Sequence, residues 1–174
     1  MKIILILILL AFTFYGCSQS VVLSQKKNYN TDAYNILYPE SWKPDTSKMM
    51  GTDLVIFSPL ENEEDKFSEN INIMIQDLDN QNIDLERYKE ISDNQIRELF
   101  ADSEVFESAV IKSNGADYYK MIYTMMQGDF RLKITSICFI KNDKAYLATF
   151  TVELDKYDNY KKVGNEILSS FKLR

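Results

Sequence analysis

"DYYKMIYTMMQGDFRLKITSICFIKNDKAYLATFTVEL", residues 117–154, contains three runs rich in β-branched and aromatic residues. Gln127-Gly128-Asp129 separates the first two and Lys141-Asn142-Asp143-Lys144 the last two. Upstream, "EVFESAVIK" (104–112) leads into Ser113-Asn114-Gly115. Asn-Gly between alternating apolar residues is a strong hairpin signal, because both turn residues tolerate positive φ. Asn142-Asp143 is a weaker form of the same signal. Four strands joined by short turns predict an antiparallel meander.

Within "LKITSICFIK" (132–141), Leu132, Ile134, Cys138 and Ile140 fall on one face, and Ile137 and Phe139 on the other. A sheet covered on one side alternates more strictly than this. Both faces are therefore expected to be covered, with at least one helix on each.

The flanks supply those helices. From Asp84 to Asp102, Leu85, Tyr88, Ser92, Ile96, Leu99 and Phe100 form one helical stripe. Asp84 suits the N-cap, and Glu86 lies in the first turn where the helix dipole favours an acid. After the meander, Tyr157, Tyr160, Gly164, Ile167, Leu168 and Phe171 form a second stripe, with Asp155 as the expected cap. Gly164 in mid-stripe costs about 1 kcal/mol against Ala, and close approach of the helix to the sheet would account for it. Before the first helix, "AYNILYP", "TDLVIFSP" and "NINIMIQDL" read as three strands, the first two stopped by Pro39 and Pro59. Five acids within residues 61–69 mark a solvated loop. The expectation is an α+β domain: an α/β/α sandwich around a mainly antiparallel sheet of about six to seven strands.

The order three strands, helix, four strands, helix, over residues 34–174, resembles the PsbP-like family, which includes DcrB-type bacterial lipoproteins. Tyr38-Pro39-Glu40-Ser41-Trp42, Asn70–Ile75, the Asn114-Gly115 hairpin and Ile167–Lys172 carry the resemblance. It implies the same sandwich. The family's plant members are extrinsic subunits of photosystem II that assist ion retention, and nothing in this chain justifies transferring that role.

The N-terminus decides the expected location. Met1-Lys2 is followed by the apolar run Ile3–Phe14, too short to span a bilayer comfortably, and then by Tyr15-Gly16-Cys17. A small residue directly before a cysteine resembles the lipobox of bacterial lipoproteins, although Phe14 and Tyr15 stand where the pattern places Leu and a small residue. The resemblance implies a cleaved signal peptide over residues 1–16 and a lipid-modified N-terminus at Cys17. Two or more acyl chains hold a protein to a membrane, whereas one does so only marginally. Ser18 after the cysteine points to the outer membrane where the cell has one. Residues 17–33 read as a flexible tether, with Val21-Val22-Leu23 as the alternative of an added edge strand, and residues 34–174 as the globular domain.

Composition narrows the function. The chain of 174 residues has a net charge of −6 and no histidine. An acidic domain without a basic cluster repels nucleic acid. Without histidine there is no Ser-His or Cys-His pair, and zinc sites built on histidine are excluded. Asp77, Asp79, Asn80, Asn82, Asp84 and Glu86 invite a calcium reading, but from Asp77 the sixth and twelfth positions hold Asn82 and Tyr88 instead of Gly and Glu. Turn and cap chemistry accounts for them. Cys138, with Cys17 lipidated, has no disulfide partner and is expected to be buried and inert. Trp42 is expected to cover the end of the sheet rather than serve as an exposed anchor. The eleven tyrosines, Tyr118-Tyr119 among them, read as half-buried sheet residues more readily than as a sugar- or peptide-binding face.

No nucleophile–base pair, metal site or cofactor site emerges. The expected function is therefore a non-catalytic module at the cell envelope, binding the membrane through Cys17 and a protein partner or ligand through its domain. The alternatives are an immunity lipoprotein, whose acidic surface would mimic an anionic substrate of an exported toxin, and a hydrolase using paired carboxylates, although no spacing singles out such a pair.

Overall fold

A computed structural model describes residues 25–174. The meander is formed by β6 (Glu104–Ile111), β7 (Tyr118–Gln127), β8 (Phe130–Lys141) and β9 (Lys144–Glu153). The turns are not the ones the residue types favour most. Asn142 and Asp143 both take positive φ, 51° and 57°, and join Lys141 directly to Lys144. Positive φ at Gly128 alone, 59°, joins Gln127 to Phe130. Asn114 and Gly115 keep negative φ, and the β6–β7 connection is a wider loop. There Asp117 Oδ1 accepts from the Ser113 amide at 3.2 Å and Ser113 Oγ from the Gly115 amide at 3.1 Å, so side chains close the loop.

Three more strands extend the meander. β3 (Lys43–Asp45), β4 (Leu54–Phe57) and β5 (Asn70–Asp77) give a seven-stranded sheet in the order β3-β4-β5-β9-β8-β7-β6, antiparallel throughout. Pro44, which cannot donate to a ladder, sits in the short edge strand β3.

The expected first strand leaves this sheet. β2 (Tyr34–Pro39) pairs instead with β1 (Lys26–Asn30) and with β10 (Lys172–Leu173) in a three-stranded sheet. The tether expectation therefore fails for residues 26–30, and the ordered fold begins before Tyr34. "KKNYN" has no strand period because only Tyr29 is half-buried, against Tyr34 with ring centroids 6.3 Å apart. Its stability comes from the ladder to β2. Cys17 and residues 18–24 lie outside the described residues.

Both faces of the large sheet are covered, each by one helix. α1 (Leu85–Leu99) begins at Asp84, whose Oδ1 accepts from the Arg87 amide at 2.8 Å. It packs on β6, β7 and β8, where Ile96 meets Tyr119, Met121 and Cys138. α2 (Tyr157–Ser170) packs on β2, β5 and β9, where Val163, Ile167 and Leu168 meet Ile36, Ile73, Ala148 and Phe150. The helix begins after a 3-10 turn, Leu154–Lys156, so Lys156 and not Asp155 occupies the cap position. Gly164 lies directly on the Phe150 ring, where a Cβ would stand 2.4 Å from the nearest ring carbon. Trp42 is 3% exposed and belongs to the α2-side core.

Candidate functional site

The two helices do not cover equal parts of the sheet. α1 sits over the β6–β7–β8 half of its face, whereas α2 sits over β5 and β9. On the α2 face the β7–β8 half is left partly open. The opening is a groove of ≈ 970 Å³ between the second half of α2, the strand following it and the β6–β7 loop. Its size is at the upper end of small-molecule sites.

Strand register builds the floor. Lys120 pairs with Ile137 and Tyr119 with Cys138, so Lys120, Ile137 and Phe139 point towards α2, while Tyr119 and Cys138 point towards α1. Tyr118-Tyr119 is thereby divided: Tyr119 is buried under α1, and Tyr118 is half-buried in the groove. The Tyr118 and Phe139 rings are 5.4 Å apart, and Phe139 and Phe171 6.1 Å, which makes a continuous aromatic row. Phe171 reaches it because α2 ends at Ser170. Ser170 Oγ donates to the Ile167 carbonyl at 2.6 Å and accepts from the Leu37 amide at 2.9 Å, which fixes the helix end against β2.

The charged margin is mostly basic. Lys120, Lys141 and Lys172 line the groove against one acid, Asp117. Lys112 holds Asp117 at 2.7 Å, and Glu107 holds Lys120 at 2.8 Å. Lys141 Nζ donates to the main-chain oxygen of Arg174.

A second polar cluster closes the other end of the sheet. Lys156 Nζ lies 2.8 Å from Asp65, 2.6 Å from Glu153 and 3.9 Å from Glu69. Glu69 is fully buried; its Oε2 accepts from Ser58 Oγ at 3.2 Å, and its Oε1 has no hydrogen-bond partner among the described residues. Desolvation raises the Glu69 pKa, although Lys156 and Ser58 oppose the rise. Burial disfavours the Lys156 cation, but Asp65, Glu153 and Glu69 outweigh it and raise its pKa. These three carboxylates converge on one ammonium, so they form a structural ion cluster and not a facing pair flanking an open cleft.

The acidic turn between β5 and α1 uses its side chains locally. Asp77 Oδ1 accepts from the Asp79 amide at 3.0 Å, and Asp84 caps α1. Asp79, Asn80 and Asn82 all take positive φ, which Asp and Asn tolerate best after Gly. Cys138 is fully buried, and desolvation pushes its thiol up to about 12. It therefore carries negligible thiolate at neutral pH.

The PsbP family model matches residues 24–173. The chain belongs to the PsbP family. Solved PsbP-like structures share the fold. The cyanobacterial PsbP of Synechocystis sp. PCC 6803 is similar with a TM-score of 0.66 and 18% identity over 92% of this chain and 99% of that one. PA94 of Pseudomonas aeruginosa, described as a putative regulator of unknown function, gives 0.61 and 10% over 86% and 97%. LpqN of Mycobacterium tuberculosis, described as involved in cell envelope biogenesis, gives 0.58 and 8% over 86% and 90%. No curated protein matches the chain. At these identities the neighbours establish the PsbP architecture and nothing finer.

Sequence reasoning missed the groove. Tyr118, Ile137 and Phe139 look in sequence like any inward-facing strand residues. Only the lateral position of α2 leaves Tyr118 and Phe139 half-buried instead of covered.

Proposed function

We propose that this PsbP-family chain is a bacterial envelope lipoprotein, tied through acylated Cys17 to a membrane, the outer one where the cell has two. Its domain is a binding module that uses the groove beside α2 for a ligand or protein partner, with no cofactor and no catalytic step. The observation that carries this reading is the groove itself: an apolar, aromatic floor with a few polar groups at its margin, the usual composition of a binding site. The absence of histidine from the whole sequence supports binding over catalysis. The net charge of −6 speaks against nucleic acid. The PsbP-like LpqN, a protein described as involved in envelope biogenesis, is consistent with the location.

The test places a photo-crosslinking residue at Ser169, on the groove wall, and separately at Arg87, on exposed α1, in cells fed labelled palmitate. The reading expects a discrete adduct from position 169 only, and palmitate label that disappears in Cys17→Ala. Label persisting in Cys17→Ala refutes the anchor. Equal or absent adducts at the two positions refute the groove as the binding surface.

A further inference from the structure

The margin of the groove nearest the aromatic row carries an excess of positive charge. Lys141 lies two residues beyond Phe139 on the same face of β8, and Lys172 directly follows Phe171. No Asp or Glu among the described residues comes within ion-pair distance of either, in contrast to Lys120 and Lys112. Lys141 Nζ donates to the Arg174 main-chain oxygen, and Arg174 brings its own guanidinium to this end, donating to Asn30 Oδ1 at 2.9 Å. Lys141 also stands directly opposite Lys144 across the Asn142-Asp143 turn. Like charges facing each other across an antiparallel pair are destabilising. Asp77 faces Lys144 on the other side, in the β5–β9 ladder, but its Oδ1 accepts from the Asp79 amide and it makes no ion pair with Lys144. The groove itself is lined by Lys120, Lys141 and Lys172 against the single acid Asp117, and of these lysines only Lys120 has a side-chain carboxylate ion-pair partner among the described residues.

The apolar side of the same end is equally specific. Tyr118, Phe139 and Phe171 form a row across the strands with centroid spacings of 5.4 and 6.1 Å, and Lys141 and Lys172 line the same groove. A ligand that satisfies both features has a linear apolar body and one anionic head. A polyanion does not fit a groove whose floor is aromatic, and a neutral amphiphile offers Lys172 no counter-charge.

We propose that the groove holds a single-chain anionic amphiphile of the fatty-acid class. The acyl chain lies on the half-buried Tyr118 and Phe139, beside the edge of Phe171, and the carboxylate is held by Lys141 and Lys172. This rests on the groove being the binding surface and names the occupant. Charge-assisted hydrogen bonds to the carboxylate supply orientation, and burial of methylenes supplies affinity.

The test uses the full chain in phosphatidylcholine vesicles, irradiated with a dodecanoate that carries a diazirine near its terminal carbon, with adducts mapped by mass spectrometry. Adducts are expected in residues 118–120, 135–139 and 165–173, displaced by unlabelled dodecanoate and about fourfold less well for each methylene removed. Lys141→Gln with Lys172→Gln is expected to weaken capture about tenfold, and Lys162→Gln, on the exposed side of α2, not at all. If a dodecanol probe labels the groove equally and the lysine variants change nothing, the anionic assignment is overturned while the groove stands. If no amphiphile labels the groove but the Ser169 crosslinker traps a protein, the occupant is a polypeptide, an acidic segment of a partner or a second copy, and the amphiphile is overturned. If neither probe finds the groove, both readings fall.

Discussion

Gly164→Ala tests the central packing relation of the fold. A Cβ built at Gly164 stands 2.4, 2.5 and 2.7 Å from three ring carbons of Phe150. Carbon atoms in contact rest at about 3.5–4.0 Å, so the overlap is about 1 Å. Relief requires movement of the ring, the helix or the strand. The ring is 1% exposed and packed among Ile71, Ile73 and Ile167. The strand is held by ladders on both sides, to Ile71 and to Thr135. Overpacking of this kind costs about 1–3 kcal/mol, while the gain in helix propensity from Gly to Ala is about 1 kcal/mol. The expected balance is a net cost of about 0–2 kcal/mol, read as an unchanged or lower urea midpoint at constant m-value. In a domain of this size each kcal/mol shifts the thermal midpoint by about 2–4 °C. The same substitution in a Phe150→Leu background removes the colliding carbons. In that background Gly164→Ala is expected to be neutral or stabilising by up to about 1 kcal/mol, so the double-mutant cycle gives a favourable coupling of at least about 1 kcal/mol. A wild-type background in which Gly164→Ala raises the midpoint, or a cycle with no coupling, refutes the close helix–sheet contact.

Three further outcomes follow from named groups. Glu69→Gln replaces a buried carboxylate whose pKa is raised by desolvation. A raised acid binds its proton more readily in the folded state, so its ionisation subtracts stability above the folded pKa and nothing well below the unfolded one. The stability of Glu69→Gln relative to wild type is therefore expected to be greatest at neutral pH and to fall as the pH drops towards the ordinary carboxylate range; urea titrations across pH 4–8 read it, and an advantage that grows on acidification contradicts it. Asp84→Ala removes the acceptor of the Arg87 amide, 2.8 Å away, and is expected to cost about 1 kcal/mol by the loss of an N-cap, measured by chemical denaturation. Cys138, its thiol pushed up to about 12 and fully buried, is expected to resist iodoacetamide at pH 8 in the folded protein and to react in urea; modification in both states at similar rates disproves its burial.

The meander is legible in the sequence because strand period and turn chemistry agree along 104–154. Ile137 and Phe139 on the face opposite Cys138 correctly announce a second covering layer, since alternation fails for a physical reason: each helix needs an apolar surface beneath it. Local preference fails where a longer-range partner decides the outcome. Asn114-Gly115 has the best residues for a two-residue turn, yet Asp117 and Ser113 hydrogen-bond the loop into a wider form. Asp155 is the better capping residue, yet Lys156, bound to Asp65, Glu153 and Glu69, sits at the start of α2. "KKNYN" lacks any buried period and becomes a strand because β2 offers it a ladder.

The groove belongs to the same class of long-range outcome, and its origin is geometric. One 14-residue helix is about 21 Å long and about 10 Å wide, whereas seven strands spaced about 4.8 Å apart present a sheet some 30 Å across. A single helix cannot cover that face. The three-stranded sheet takes the space on one flank of α2, where β2 contributes Tyr34, Ile36 and Tyr38 to the core. Nothing equivalent among the described residues fills the other flank over β7 and β8, so Tyr118 and Phe139 stay half-buried there. Two lysines follow the row in sequence: Lys141 ends β8, two residues after Phe139, and Lys172 opens β10, directly after Phe171. Strand ends are common places for lysine, which is why neither stands out in the sequence. Their meeting with Tyr118 and Phe139 in one groove exists only once β2 has left the main sheet and α2 has settled between the two.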